Sequence, residues 1–167
     1  MGTRSMIAVE TEKGILASYC HWDGYPEHNG RILVNFYNDY PSALKLIRMG
    51  DISSLRESMD VPIGAAHAFD NPLDDVTVFY GRDRGDNDMG PTLYEKPMDM
   101  VGKNWDDFCY LFTDGKWHCI DSDRGTHIEL YGAIKDLVDG TMIEGDYEAV
   151  KESDLYLEFI KSCEEEK

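Results

Sequence analysis

The chain is short of positive charge. Sixteen Lys and Arg stand against thirty-three Asp and Glu, a formal net charge of −17 over 167 residues. A field of that sign repels phosphate backbones and anionic membrane surfaces, so unaided nucleic-acid or membrane binding is not expected. Cysteine is scarce as well. The four, at positions 20, 109, 119 and 163, form no Cys-x-x-Cys pair, which suits free buried thiols in a reducing, cytoplasmic compartment. No apolar run approaches the roughly 20 residues that span a bilayer. The first twelve residues include Glu10 and lack the apolar stretch of an export signal. Also missing are the Walker phosphate loop, the Gly-x-Gly-x-x-Gly fingerprint and the Gly-x-Ser-x-Gly nucleophile elbow.

What remains is enough for a packed domain. Apolar residues make up 42% of the chain and aromatics 11%, ten of them Tyr, too many for disorder. The length suits one domain, expected over residues 1–163, with 164–167 a frayed acidic end. The acidity is lopsided. Residues 1–60 hold six basic and eight acidic side chains, whereas 61–167 hold ten and twenty-five. Solubility alone accounts for an acidic surface; its concentration beyond residue 60 raises a second possibility, attraction to a basic partner.

The pattern predicts an α+β fold, mainly an antiparallel sheet with helices packed on it. Ser5–Glu12 and Ile15–His21 flank Lys13-Gly14 as an N-terminal hairpin. Asn29 is placed to cap a helix that presents Ile32, Leu33, Phe36 and Tyr37 on one face. Pro41 opens a second helix that Gly50 closes, and 51–59 reads as a further helical turn. Val76–Tyr80 reads as a central strand, and Gly81–Pro97 as a long polar loop. The clearest local signal is Asp114-Gly115 between Cys-Tyr-Leu-Phe-Thr and Lys-Trp-His-Cys-Ile. It predicts a two-residue hairpin in which Phe112 faces Trp117, Tyr110 faces Cys119 and Leu111 faces His118, buried on both faces. Helices are expected over 129–138 and 146–163.

Two segments carry functional residue types. The first is the turn His21-Trp22-Asp23-Gly24-Tyr25-Pro26-Glu27-His28-Asn29-Gly30 with Arg31, which offers imidazoles, carboxylates and aromatics at a helix entrance. The structural alternative has Asp23-Gly24 making the turn, while Trp22 and Tyr25 plug the core edge. The second is Arg82-Asp83-Arg84-Gly85-Asp86-Asn87-Asp88. Its spacing fails the calcium-loop template; its arginines suit an anion held with carboxylate support, and the favoured alternative is a solvated turn between strands. Adjacent Cys20-His21 and His118-Cys119 point to opposite strand faces, so no metal site and no cofactor is expected.

Thr3-Arg4-Ser5, Tyr19-Cys20-His21-Trp22-Asp23-Gly24-Tyr25-Pro26, Gly30, Tyr80-Gly81-Arg82-Asp83-Arg84-Gly85, Leu111-Phe112 and Gly115-Lys116-Trp117 resemble segments of an uncharacterised family of small phage, prophage and bacterial proteins. The resemblance implies a bacteriophage accessory protein, of the kind that acts on a host enzyme or defence system. It carries over no activity and no catalytic residue. Two functions are then expected to compete. One is a non-enzymatic protein that docks on a basic host protein. The other binds or processes a nucleotide, including cyclic-nucleotide signals, at a site joining Arg4, His21, Trp22, Asp23, Tyr25, His28 and Arg31 to Arg82 and Arg84.

Overall fold

Both hairpins form with the register the alternation dictates. The structure, a computed structural model, describes residues 2–101, 106–121 and 126–129. Strands β1 (Ser5–Thr11) and β2 (Gly14–Cys20) pair antiparallel, Ile7 opposite Ser18 and Val9 opposite Leu16. The central hairpin, β6 (Phe108–Thr113) and β7 (Lys116–Asp121), sets Phe112 against Trp117, Tyr110 against Cys119 and Leu111 against His118. Its turn has positive φ at both central residues, 53° at Asp114 and 73° at Gly115, the backbone that matches strand twist in a two-residue loop. A further strand, β8 (Thr126–Glu129), extends the hairpin outward.

Parallel pairing of β1 with β6 joins the two hairpins. A parallel pair needs a crossover, and this one carries all the intervening elements: α1 (Arg31–Phe36), α2 (Tyr40–Arg48), β3 (Ile52–Ser54), β4 (Val78–Phe79), α3 (Tyr80–Arg84) and β5 (Thr92–Tyr94). The result is an eight-stranded mixed sheet in the order β4-β3-β2-β1-β6-β7-β8. The short β5 pairs with the first half of β2, while β3 meets its end. Among the described residues, five of the seven strand pairings are antiparallel. The α+β architecture is a single domain.

Period-2 burial on β1, β6 and β7 divides the core in two. Ile7, Val9, Cys20, Tyr110, Phe112, Trp117 and Cys119 pack beneath α1 and α2. Met6, Ala8, Ile15, Ala17, Cys109, Leu111 and Ile120 pack on the opposite face with Met100. Two polar groups inside find backbone partners: Trp117 Nε1 donates to Tyr37 O at 3.0 Å, and Ser18 Oγ to Ile47 O at 2.8 Å. Asp39 caps α2 by accepting from Ser42 N at 2.8 Å, and Pro41 lies in its first turn.

Several expectations are corrected. Asn29 caps nothing: it lies within a π-helical turn, Pro26–Gly30, that runs straight into α1. Phe36 is 52% exposed, and Val34 takes the buried place. Residues 52–54 are strand β3 rather than a helical turn. The strand near Val76–Tyr80 is two residues long and lies at the sheet edge, because Tyr80 already opens α3. The polar loop from Gly81 contains α3 and β5. Glu129 ends β8; the helices expected beyond it and the acidic end at 164–167 lie outside the described residues.

Candidate functional site

The turn after β2 is held from beneath at every step. His21 N donates to Ile52 O (3.0 Å) and Trp22 N to Ser53 O (3.1 Å), continuing the β2–β3 pairing. Gly24 N donates to Thr3 O at 2.8 Å, and Gly24 O accepts from the buried Tyr110 hydroxyl. A β-carbon on Gly24 would lie 2.8 Å from Thr3 O and 2.9 Å from Ser5 Cβ, so only glycine fits there. Asp23 adopts φ +56°, the left-handed region that Asp tolerates better than most residues. Asn29 is fully buried, and its Nδ2 donates toward Ser5 Oγ, Cys20 Sγ and Trp22 O.

This scaffold turns two aromatics outward. Trp22 is 45% and Tyr25 37% exposed, so neither plugs the core edge, contrary to the structural expectation. Each is met edge-on by a histidine: His21 against Trp22 at 4.6 Å and His28 against Tyr25 at 6.1 Å between ring centres. His28 Nε2 faces Arg56 Nη1 at 3.0 Å. A guanidinium only donates, so Nε2 accepts and Nδ1 carries the hydrogen toward Asn29 Oδ1 at 2.8 Å. His21 Nδ1 lies 2.7 Å from the Tyr19 hydroxyl. Burial, then the nearby Arg4 charge, lowers the His21 pKa below its ordinary value. Burial raises the Tyr19 hydroxyl, against the opposing pull of Arg4. Arg4, His21, Trp22, Asp23, Tyr25 and His28 are therefore neighbours, with Arg31 exposed at the start of α1.

Arg82 and Arg84 do different work. Arg82 Nε and Nη2 grip the Asp83 carboxylate at 2.8 and 3.1 Å, Nη2 also reaches Thr77 O, and Nη1 donates to Met59 O. Arg84 binds Asp86 through Nε and Nη2, and its guanidinium lies 4.6 Å from both the Phe69 and Tyr80 ring centres. The donors of Arg82 and the stack of Arg84 on Phe69 hold the segment between β3 and β4 in place. Burial alone would raise the Asp83 carboxyl, but Arg82, the Phe79 amide and His67 outweigh it and hold it below the usual range. His67 Nδ1 accepts from Leu73 N at 3.0 Å. Its Nε2 lies 3.3 Å from Asp83 Oδ2, off the line of a good hydrogen bond.

Among the described residues, the segment so anchored is the most one-sided in charge. From 57 to 75 it holds Glu57, Asp60, Asp70, Asp74 and Asp75 and no Lys or Arg, and all five carboxylates are exposed. Ser58 N donates to Asp75 O, and Thr77 N to Ser58 O, which brings 57–60 alongside 74–77. Lys45 reaches Asp60 at 3.6 Å. No ion pair to the other four carboxylates occurs among the described residues. Sequence reasoning missed Arg56, which ties His28 to this segment; nothing local marks it. Two open cavities of about 320 and 310 Å³ flank Tyr40, and none of the nine sequence-predicted residues lines either.

Among the described residues no helix is long and apolar enough to cross a membrane. Comparison with family models, curated proteins and solved structures returned no match to this chain.

Proposed function

We propose that this chain is a non-enzymatic binding protein, of the accessory kind implied by its resemblance to phage proteins, which docks on a basic surface of a host protein. The observation that supports it most is the 57–75 segment: five exposed carboxylates, no basic residue of its own, a backbone held by Arg82 and His67, and Phe69 stacked under Arg84. A fixed array of one sign steers a cationic partner and raises its association rate. Lys45 pairs with Asp60, but Arg82 and Arg84, committed to Asp83 and Asp86, do not cancel the other four carboxylates. Immobilised protein should retain a basic host protein from lysate at low salt and release it as salt rises. Retention that ignores salt, or no retention, overturns the reading.

The alternative, a nucleotide ligand gripped by Arg4, Arg31, Arg82 and Arg84, has less support because two of its four cations already have carboxylate partners. A thermal-shift screen with nucleotides and cyclic oligonucleotides separates the two. Stabilisation by any of them, lost on Arg31→Ala, would favour the alternative.

A further inference from the structure

We propose that the cavity between α2 and the β2–β5 pair is a binding site for a small organic anion, a carboxylate that carries a short apolar tail. Regular spacing brings its lining together. Tyr40, Leu44 and Arg48 stand four residues apart on α2 and share one stripe of that helix, beside the buried Ala43, Leu46 and Ile47. Leu16 of β2 is paired with Leu93 of β5, so the two side chains lie on the same side of the sheet. The β1–β2 turn adds Glu12 and Lys13. That turn is fixed by Thr11 Oγ1, which donates to Gly14 O at 2.9 Å and accepts from Lys13 N at 3.2 Å. These side chains line one open cavity of about 310 Å³, at the lower end of the roughly 300–1,000 Å³ that holds small ligands.

Both halves of such a ligand find a counterpart. Leu16 and Leu44 are half-buried against the core, while Leu93 is 51% and Tyr40 44% exposed. Covering that apolar area is worth about 25 cal/mol per Å². Lys13 and Arg48 outnumber Glu12 in the lining, and neither is in an ion pair among the described residues. Each cation has a local reason to be there: Arg48 lies in the last turn of α2, where the helix dipole favours positive charge, and Lys13 lies in a hairpin turn. Neither reason accounts for both meeting at one apolar cavity. The cavity on the other side of Tyr40 has the opposite sign, with Glu10, Asp39 and Asp114 and no basic residue. More distant carboxylates of this chain weigh little, because physiological salt screens exposed charges beyond about 8 Å. An ammonium ligand would meet two like charges, and a neutral one would use the leucines alone. A carboxylate with an apolar tail uses both, accepting from Arg48 and Lys13 while its tail covers the leucines. The site shares no residue with the 57–75 segment and stands apart from the basic-partner reading.

The test is a titration of the full chain with octanoate, octanol and octylammonium below their micellar concentrations, read by NMR at the methyl groups of Leu16, Leu44 and Leu93. Octanoate should shift these methyls and bind about tenfold more tightly than octylammonium, the scale of exchanging one exposed ionic attraction for a repulsion. Octanol should fall between them. In Lys13→Gln/Arg48→Gln, octanoate should weaken to the level of octanol, whose own binding stays unchanged. Lys13→Arg/Arg48→Lys should keep the preference, which guards against a disturbed fold in the glutamine variant. No shift at these methyls, equal binding of the three ligands, or an octanoate preference that survives the glutamine pair overturns the inference. Retention of a basic host protein is a separate measurement, so the two readings fail separately.

Discussion

At the residue scale, single atoms decide whether the turn can exist. Replacing Gly24 with Ala would press a β-carbon onto backbone atoms of Thr3 and Arg4 that cannot rotate away. The expected loss is about 2 kcal/mol, the usual scale for overpacking, visible as a lower midpoint in urea unfolding. Cys20 is enclosed and its thiol is pushed up to about 11, mainly by burial. In the native protein it should therefore resist iodoacetamide at pH 8, as mapped by mass spectrometry, and become reactive only in denaturant. Asp83 gives a pH dependence of definite sign. Its folded pKa lies below the unfolded value, so its stabilising contribution is complete above the ordinary carboxylate range and is lost as pH falls through the folded pKa. Asp83→Asn should lower stability at pH 7 by about 2 kcal/mol, through its charge-assisted bonds, and flatten the acid limb of the stability curve. The outward direction of Trp22 and Tyr25 was not readable in the sequence. Whether a ring packs inward or outward depends on Thr3, Ser53 and Tyr110, which reach the turn only once the sheet has formed.

At the scale of elements, legibility followed the range of the forces. Both hairpins and the register of β6 with β7 were plain, because a two-residue turn and strict alternation are local signals. Strand β3 was not: three residues ending in Ser-Ser carry no periodicity, and their pairing with β2 and β4 is entirely non-local. Asn29 was misread as a cap for the same reason, since its burial against Ser5 and Cys20 outweighs its turn preference. Of the candidate site, residues 21–31 were legible as a turn rich in functional side chains, whereas the structural engagement of Arg82 and Arg84 was not. Their partners Met59, Phe69 and Thr77 lie far away in the chain. That assignment predicts a local effect. Arg84→Ala should remove the stack on Phe69 and Tyr80 and loosen residues 60–75. Amide hydrogen exchange should rise there severalfold, with the β6–β7 hairpin unchanged. Equal acceleration throughout would mean that the stack supports the whole fold.

At the scale of the molecule, two features coincide: a sheet buried on both faces, and an edge segment, residues 57–75, whose Asp and Glu meet no Lys or Arg within it. The sheet accounts for stability without that segment's carboxylates, because Glu57, Asp70, Asp74 and Asp75 are exposed and make no ion pair among the described residues. They can be neutralised without disturbing the core, and this separates recognition from folding. The decisive measurement compares the wild type with Glu57→Gln/Asp70→Asn/Asp74→Asn/Asp75→Asn for binding of the host protein retained at low salt, across a salt series. The variant should melt within a few degrees of the wild type, bind at least tenfold more weakly at low salt, and show a shallower salt dependence. Equal affinity and equal salt dependence in the two proteins would contradict the account.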